Sequence, residues 1–143
     1  MIRFCILLTL LVVGGPVCAQ GQDSHPSERD LMVMNELLPG QYDNWNQNYF
    51  DGRRKLAEPL RHERQHTQVA RVNAPALGEH VYYVVDYRDN DPAKVTRRRV
   101  WSLTADPQAG AVRMKIFWID DANSVRYSAG LTDAALWNNA KPQ

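Results

Sequence analysis

The chain has 143 residues, a length that suits one ordinary domain and is too short for two well-separated ones. Hydrophobic residues make up 44% and charged residues 23%, which is close to the average for globular proteins and argues against disorder over the whole length. Seventeen Lys/Arg against 16 Asp/Glu leave a formal net charge of +1, whereas a nucleic-acid-binding protein normally has a basic excess. The composition therefore predicts a single folded domain that does not bind nucleic acid.

The N-terminus has the three-part pattern of a secretory signal peptide. Arg3 supplies one positive charge, residues 4–13 form a short apolar run, and small residues precede a cleavage point after Ala19. The apolar run is too short to predict a transmembrane anchor. We therefore expect a signal peptide at residues 1–19 and an exported domain, periplasmic or secreted, at residues 20–143. Both cysteines of the chain lie within the signal, so the domain is expected to have no disulfide and no thiolate ligand.

The first part of the domain predicts three short elements. Apolar residues from Leu31 to Leu38 follow helical spacing, and Pro39 interrupts the pattern, so residues 27–38 are predicted to form an amphipathic helix. Residues 41–58 mix aromatic and amide side chains and predict a short strand followed by a short helix.

In the second part of the domain, the apolar residues recur with a period of two, as in β-strands. Strands are predicted at residues 67–72, 80–88, 96–103 and 111–119. The connections are rich in Asp, Asn, Pro and Gly, which favour turns, and none is long enough for a crossover helix. This pattern predicts an antiparallel meander, followed by a short helix at residues 131–138.

The segment from His62 to His66 matches the pattern H-E-x-x-H. On a helix, His62 and His66 would share a face and could bind one zinc ion, with Glu63 as the general base and Glu79 or His80 as a third ligand. The intervening residues are Arg and Gln, and the flanks give no apolar helical stripe. We therefore expect no metal site, and a zinc hydrolase stands as an alternative function.

Three consecutive arginines occupy one predicted strand. Arg97 and Arg99 point to the same side of such a strand, and Arg98 points to the other. The cluster is either a solvated edge that discourages aggregation or an inward-facing pair that binds carboxylates. The strands also carry aromatic residues that form either ordinary core or a wall for a flat, conjugated ligand: Tyr82, Tyr83, Tyr87, Trp101, Phe117 and Trp118.

An ordered series of segments over about eighty residues resembles the T-type chromophore lyases of phycobiliproteins, the CpcT/CpeT family. The segments are, in chain order, LPGQYDNWNQ at residues 38–47, His66 at a strand start, VYYVVDY at residues 81–87, Asp91-Pro92 in a turn, RRRVWSL at residues 97–103, and MKIF at residues 114–117.

The resemblance implies an all-β dominated fold, a lipocalin-like (calycin) antiparallel β-barrel with a short N-terminal helix. It implies a bilin held non-covalently as ligand, with no separate cofactor, and transferred to a cysteine of a protein client. The pocket residues it implies are His66, Tyr87, Arg97 and Arg99, with the two arginines meeting the bilin propionates; no catalytic residue is assigned. It also places His66 in a strand, which disfavours the zinc alternative.

The chain ends before the last strands of that family's barrel. We therefore expect the chain to form the N-terminal portion of the family domain, an incomplete barrel. Such a chain is either a fragment of a longer protein or a subunit whose barrel is completed in a homodimer. The expected function is that of a chromophore-lyase-like protein. A non-catalytic, exported binding protein for a small apolar or tetrapyrrole-like molecule is the main alternative.

Overall fold

A computed structural model describes residues 25–141 of the chain. Five strands form one antiparallel sheet in the order β1-β2-β3-β4-β5. The strands are β1 (Gly40–Asp43), β2 (Gln65–Val72), β3 (His80–Arg88), β4 (Val95–Asp106) and β5 (Ala111–Trp118). The α-helices are α1 (Pro26–Leu37), α2 (Trp45–Arg53) and α3 (Asp121–Ser124), with 3-10 turns at Glu58–Leu60 and Ala134–Asn139. The predicted antiparallel meander and N-terminal helix are confirmed, whereas the predicted signal peptide at residues 1–19 lies outside the described residues.

The sheet is open over the described part of the chain, because β1 and β5 are its two edges and do not pair with each other. Successive side chains of a strand alternate between two faces. We call them the helix face, which carries Tyr82 and Val84 of β3, and the tail face, which carries Tyr83 and Val85. Since both faces are partly covered, β3 is buried over nearly its whole length, which accounts for its continuous run of β-branched and aromatic residues.

Helix α1 covers one end of the helix face. Pro26 occupies its first turn, where the missing N–H costs nothing, and the ring of His25 accepts a hydrogen bond from the Ser27 amide. Leu31 belongs to one buried cluster with Val69, Tyr82, Val84 and Leu103, and Met34 and Leu38 pack against this cluster. The other end of the helix face is not covered by α1.

The segment after β5 covers the tail face. Trp137 is 1% exposed, packs against Tyr127 and Tyr83 with ring centroids 5.0 Å and 4.9 Å away, and donates a hydrogen bond to the Gly130 carbonyl. The helix predicted at residues 131–138 is a 3-10 turn that begins later, because the Asp133 carboxylate caps it by accepting from the Ala135 amide.

Among the helices described, none is long and apolar enough to cross a membrane.

Candidate functional site

Arg97 and Arg99 lie on the helix face, at the end that α1 leaves open. The register places Asp86 opposite Arg97 and Val84 opposite Arg99. Arg97 Nε donates to Asp86 Oδ2 at 2.6 Å, and Arg99 Nη2 donates to the same oxygen at 2.8 Å. Arg98 lies opposite Val85 on the tail face, as strand alternation predicts.

Asp86 is the centre of this cluster. Its side chain is 5% exposed, and its second oxygen accepts a hydrogen bond from the Thr67 hydroxyl at 2.7 Å. A β-bulge follows Asp86, with Thr96 as the extra residue, whose hydroxyl donates to the Asp86 carbonyl. One carboxylate therefore holds two guanidinium groups, and the cluster keeps a surplus of one positive charge.

Two tryptophans border the arginine pair. The guanidinium of Arg99 lies 5.2 Å from the ring of Trp101, and that of Arg97 lies 6.0 Å from the ring of Trp118. Arg99 Nε and Trp101 Nε1 are both buried without a hydrogen-bond partner. Burial lowers the pKa of Arg99, and the neighbouring Arg97 charge lowers it further, although a guanidinium stays protonated at neutral pH. The two positive charges of the pair therefore repel each other beside a single carboxylate. Arg99 Nε and the neighbouring Trp101 Nε1 remain as unused N–H donors.

The surface beside the pair is apolar and open. On the same face, edge strand β5 exposes Met114, Ile116 and Trp118, the last of them at 63%. We call the surface formed by Asp86, Arg97, Arg99, Trp101 and Trp118 the arginine shelf. It combines surplus positive charge, free N–H donors and flat aromatic surface, which suits a flat molecule that bears a carboxylate.

His66 and Tyr87 lie on the tail face, away from the arginine shelf. They oppose each other in the register of β2 and β3, their rings stack at 5.2 Å, and both are 4% exposed. The Tyr87 hydroxyl accepts a hydrogen bond from the Gln41 amide. The four residues implied by the family resemblance therefore form two pairs on opposite faces of the sheet.

The H-E-x-x-H segment does not form the helix that the zinc alternative requires. Residues 62–64 have no regular secondary structure, and His66 lies in β2. The His62 ring bonds to Asp51, Glu63 pairs with Arg88, and His66 stacks on Tyr87. Between residues 25 and 141 no group of three His, Cys, Asp or Glu side chains could hold a metal ion. The helix that the zinc alternative requires at residues 62–66 is therefore contradicted by the structure, and His62 and His66 do not share a helical face.

Sequence reasoning missed Asp86, although a signal for it exists. Asp86 is the only carboxylate in the apolar strand β3, and a lone buried acid in such a strand predicts a cationic partner. The partner could not be named before the register of β3 and β4 was known. Sequence reasoning also missed Arg64, which lies beside His66. Its contact with Asp43 could not be predicted before the pairing of β1 and β2 was known.

The chain matches no family model, no curated protein and no solved structure. The resemblance to the T-type chromophore lyases therefore depends on the sequence segments alone.

Proposed function

We propose that the protein binds a flat, conjugated, acidic small molecule on the arginine shelf. The observation that carries this proposal is the arrangement of Arg97 and Arg99 on the single carboxylate of Asp86, between the rings of Trp101 and Trp118. A ligand carboxylate would neutralise the surplus charge and accept from the unused N–H donors. Hydrogen bonds to charged groups contribute about 1.5–3 kcal/mol each when water is excluded.

The ligand class that we propose is a bilin or a related tetrapyrrole. Such a molecule has propionate groups for the arginine pair and a conjugated plane for the tryptophan rings. The resemblance to the T-type lyases points to the same class of ligand. The exposed apolar row on β5 would supply further contact area on the same face.

The family assignment and its further consequences are part of the same proposal. Each strand pairs with its chain neighbour in antiparallel fashion, as in an up-and-down barrel, which supports a calycin-like relationship. Transfer of the bilin to a client cysteine is the activity that the family resemblance implies, and the arginine shelf would serve its binding step. We also propose export after cleavage at Ala19, which the intact mass of the exported protein tests.

A visible-absorbance titration with a bilin tests the binding proposal, on protein shown to be folded by a cooperative melt. We expect a saturable, red-shifted band that is lost in the double variant Arg97→Ala/Arg99→Ala. Trp118→Ala changes only an exposed side chain and should weaken binding without unfolding the protein. Arg98→Ala, on the other face, is the matched control and should bind like the wild type.

The binding proposal is overturned by an unchanged spectrum on folded protein, or by equal losses in the Arg98→Ala control and the double variant. Where binding is found, incubation of the loaded protein with a cysteine-containing phycobiliprotein subunit tests the lyase activity. A gain of the bilin mass by the subunit supports transfer. An unmodified subunit removes the lyase activity and leaves the binding function.

A further inference from the structure

A second pocket lies on the tail face, on the opposite side of the sheet from the arginine shelf. It is an open depression lined by β1, the start of β2 and the turn between β3 and β4. We call it the Arg64 pocket. Its lining residues are Gln41, Tyr42, Asp43, Arg64, His66 and Asn90.

Two buried nitrogen atoms of the Arg64 pocket have no hydrogen-bond partner. They are Nη1 of Arg64 and Nε2 of His66. His66 as a whole is 4% exposed. A buried polar atom without a partner costs free energy, and an acceptor bound between these two would satisfy both when His66 carries its proton on Nε2.

The guanidinium of Arg64 is held in place by its other contacts. Its Nη2 donates to Asp43 Oδ2 at 3.0 Å, and its plane lies 5.0 Å from the ring of Trp45. The Trp45 amide donates to the second oxygen of Asp43 at 2.8 Å. The Arg64 and Trp45 hydrogen bonds lower the pKa of Asp43, which is therefore ionised at neutral pH. Nη1 is thus left as a fixed, unused donor.

The His66 ring and the surrounding backbone are fixed as well. The ring stacks on Tyr87, whose hydroxyl bonds to Gln41. The side chain of Asn44 donates to the Glu63 carbonyl at 2.7 Å and accepts from the Gln65 amide at 2.9 Å, which clamps the chain on both sides of Arg64. The donors are therefore preorganised, which reduces the entropic cost of binding.

The turn between β3 and β4 forms the rim of the pocket. Asp89 and Asn90 have φ values of 54° and 56°, the left-handed conformations of a tight turn that the Asp91 amide closes by donating to the Arg88 carbonyl at 2.9 Å. The Asp89 amide donates to the Arg64 carbonyl at 3.1 Å and ties the turn to the pocket.

We propose that the Arg64 pocket binds the carboxylate of a small organic acid, with one oxygen accepting from Arg64 Nη1 and the other from His66 Nε2. His66 donates from Nε2 in one neutral tautomer, so no proton uptake is needed. The charges of Asp43 and Arg64 cancel, and the Asp43 carboxylate repels a second negative charge. The pocket therefore favours a singly charged carboxylate over the dianion of inorganic phosphate.

The test is an NMR titration of the full chain, labelled with ¹⁵N at its histidine rings, with sodium acetate at constant ionic strength. We expect the His66 ring resonances to move saturably, while those of His62 and His80 stay in place. Arg64→Gln and Arg64→Lys should each weaken acetate binding roughly tenfold or more, because Gln lacks the positive charge of the guanidinium and Lys lacks its fixed, planar N–H geometry. Arg53→Gln, an exposed arginine on α2, is the matched control and should bind acetate normally.

The Arg64 variants should remain folded because they remove the partly buried charge itself, and the Asp43 carboxylate that is left is 40% exposed and can be solvated by water. A cooperative melt of each variant verifies this. Unmoved His66 resonances on folded protein, or equal weakening in the Arg53→Gln control, overturn the site. Inorganic phosphate that binds more tightly than acetate overturns the choice of a carboxylate.

Discussion

Arg99 reaches Asp86 diagonally across two strands: Val84 is its directly opposed residue, yet its Nη2 lies 2.8 Å from Asp86 Oδ2. The same oxygen receives Arg97, which does oppose Asp86 directly. One buried carboxylate thereby fixes the spacing of both guanidinium groups. The arginine shelf consequently depends on Asp86 for its geometry as much as on the arginines for its charge.

We expect Asp86→Asn to lower the free energy of unfolding by about 3 kcal/mol, because it leaves Arg99 buried without a counter-charge. Urea denaturation followed by circular dichroism measures this. Asp89→Asn is the matched control, since Asp89 is 58% exposed, pairs with the exposed Lys94, and lies in a turn conformation that Asn adopts readily. Equal stability of the two variants would contradict the structural role assigned to Asp86.

Two glycines should respond to alanine in opposite directions. A Cβ at Gly130 would lie 2.8 Å from both Trp137 and Tyr83 and 3.0 Å from the Tyr127 carbonyl, so we expect Gly130→Ala to lower stability by about 1–3 kcal/mol. A Cβ at Gly52, in α2, would meet nothing within 4 Å, and alanine there should raise stability by about 0.5–1 kcal/mol. Thermal melts of both variants check the sign; a stabilised Gly130→Ala would refute the packing of the tail.

Asp51 should contribute to acid sensitivity. Its carboxylate accepts hydrogen bonds from the His62 amide and ring, each at 2.7 Å, and these lower the pKa of Asp51. The contribution to stability is complete above the unfolded-chain pKa of about 3.9 and is lost as the pH falls through the lower folded value. Denaturant unfolding between neutral and strongly acidic pH should show a smaller loss for Asp51→Asn than for the wild type.

His62→Gln serves as the comparison for that experiment, since it removes the ring but keeps the backbone N–H. The amide is the largest cause of the lowered Asp51 pKa, so His62→Gln should retain more of the wild-type acid sensitivity than Asp51→Asn does. Superimposable pH profiles for the wild type and Asp51→Asn would show that Asp51 has no such role.

Strand positions were predictable because alternation and turn residues act locally. The predicted strand at 80–88 coincides with β3. The strand predicted at 96–103 is too short, since Thr104, Ala105 and Asp106 also pair with β5. That extension depends on the partner strand, which local propensity does not contain.

The composition of the candidate site was only partly predictable. Alternation alone places Arg97 and Arg99 on one face. Their contact with Asp86, and the separation of His66 and Tyr87 onto the other face, follow from the pairing register of three strands. A register is fixed by packing and turn geometry across the whole sheet, so sequence periodicity did not reveal it.

The five strands differ in how much chain must be ordered before they pair. Short connections close the β2–β3, β3–β4 and β4–β5 hairpins, whereas β1 and β2 are separated by residues 44–64. The loop-closure entropy of a single strand pairing is therefore largest for the docking of β1, by about 1 kcal/mol. Because β1 supplies Gln41 and Asp43 to the Arg64 pocket, that pocket exists only when this most costly closure has been made, and fraying of this one edge would abolish it.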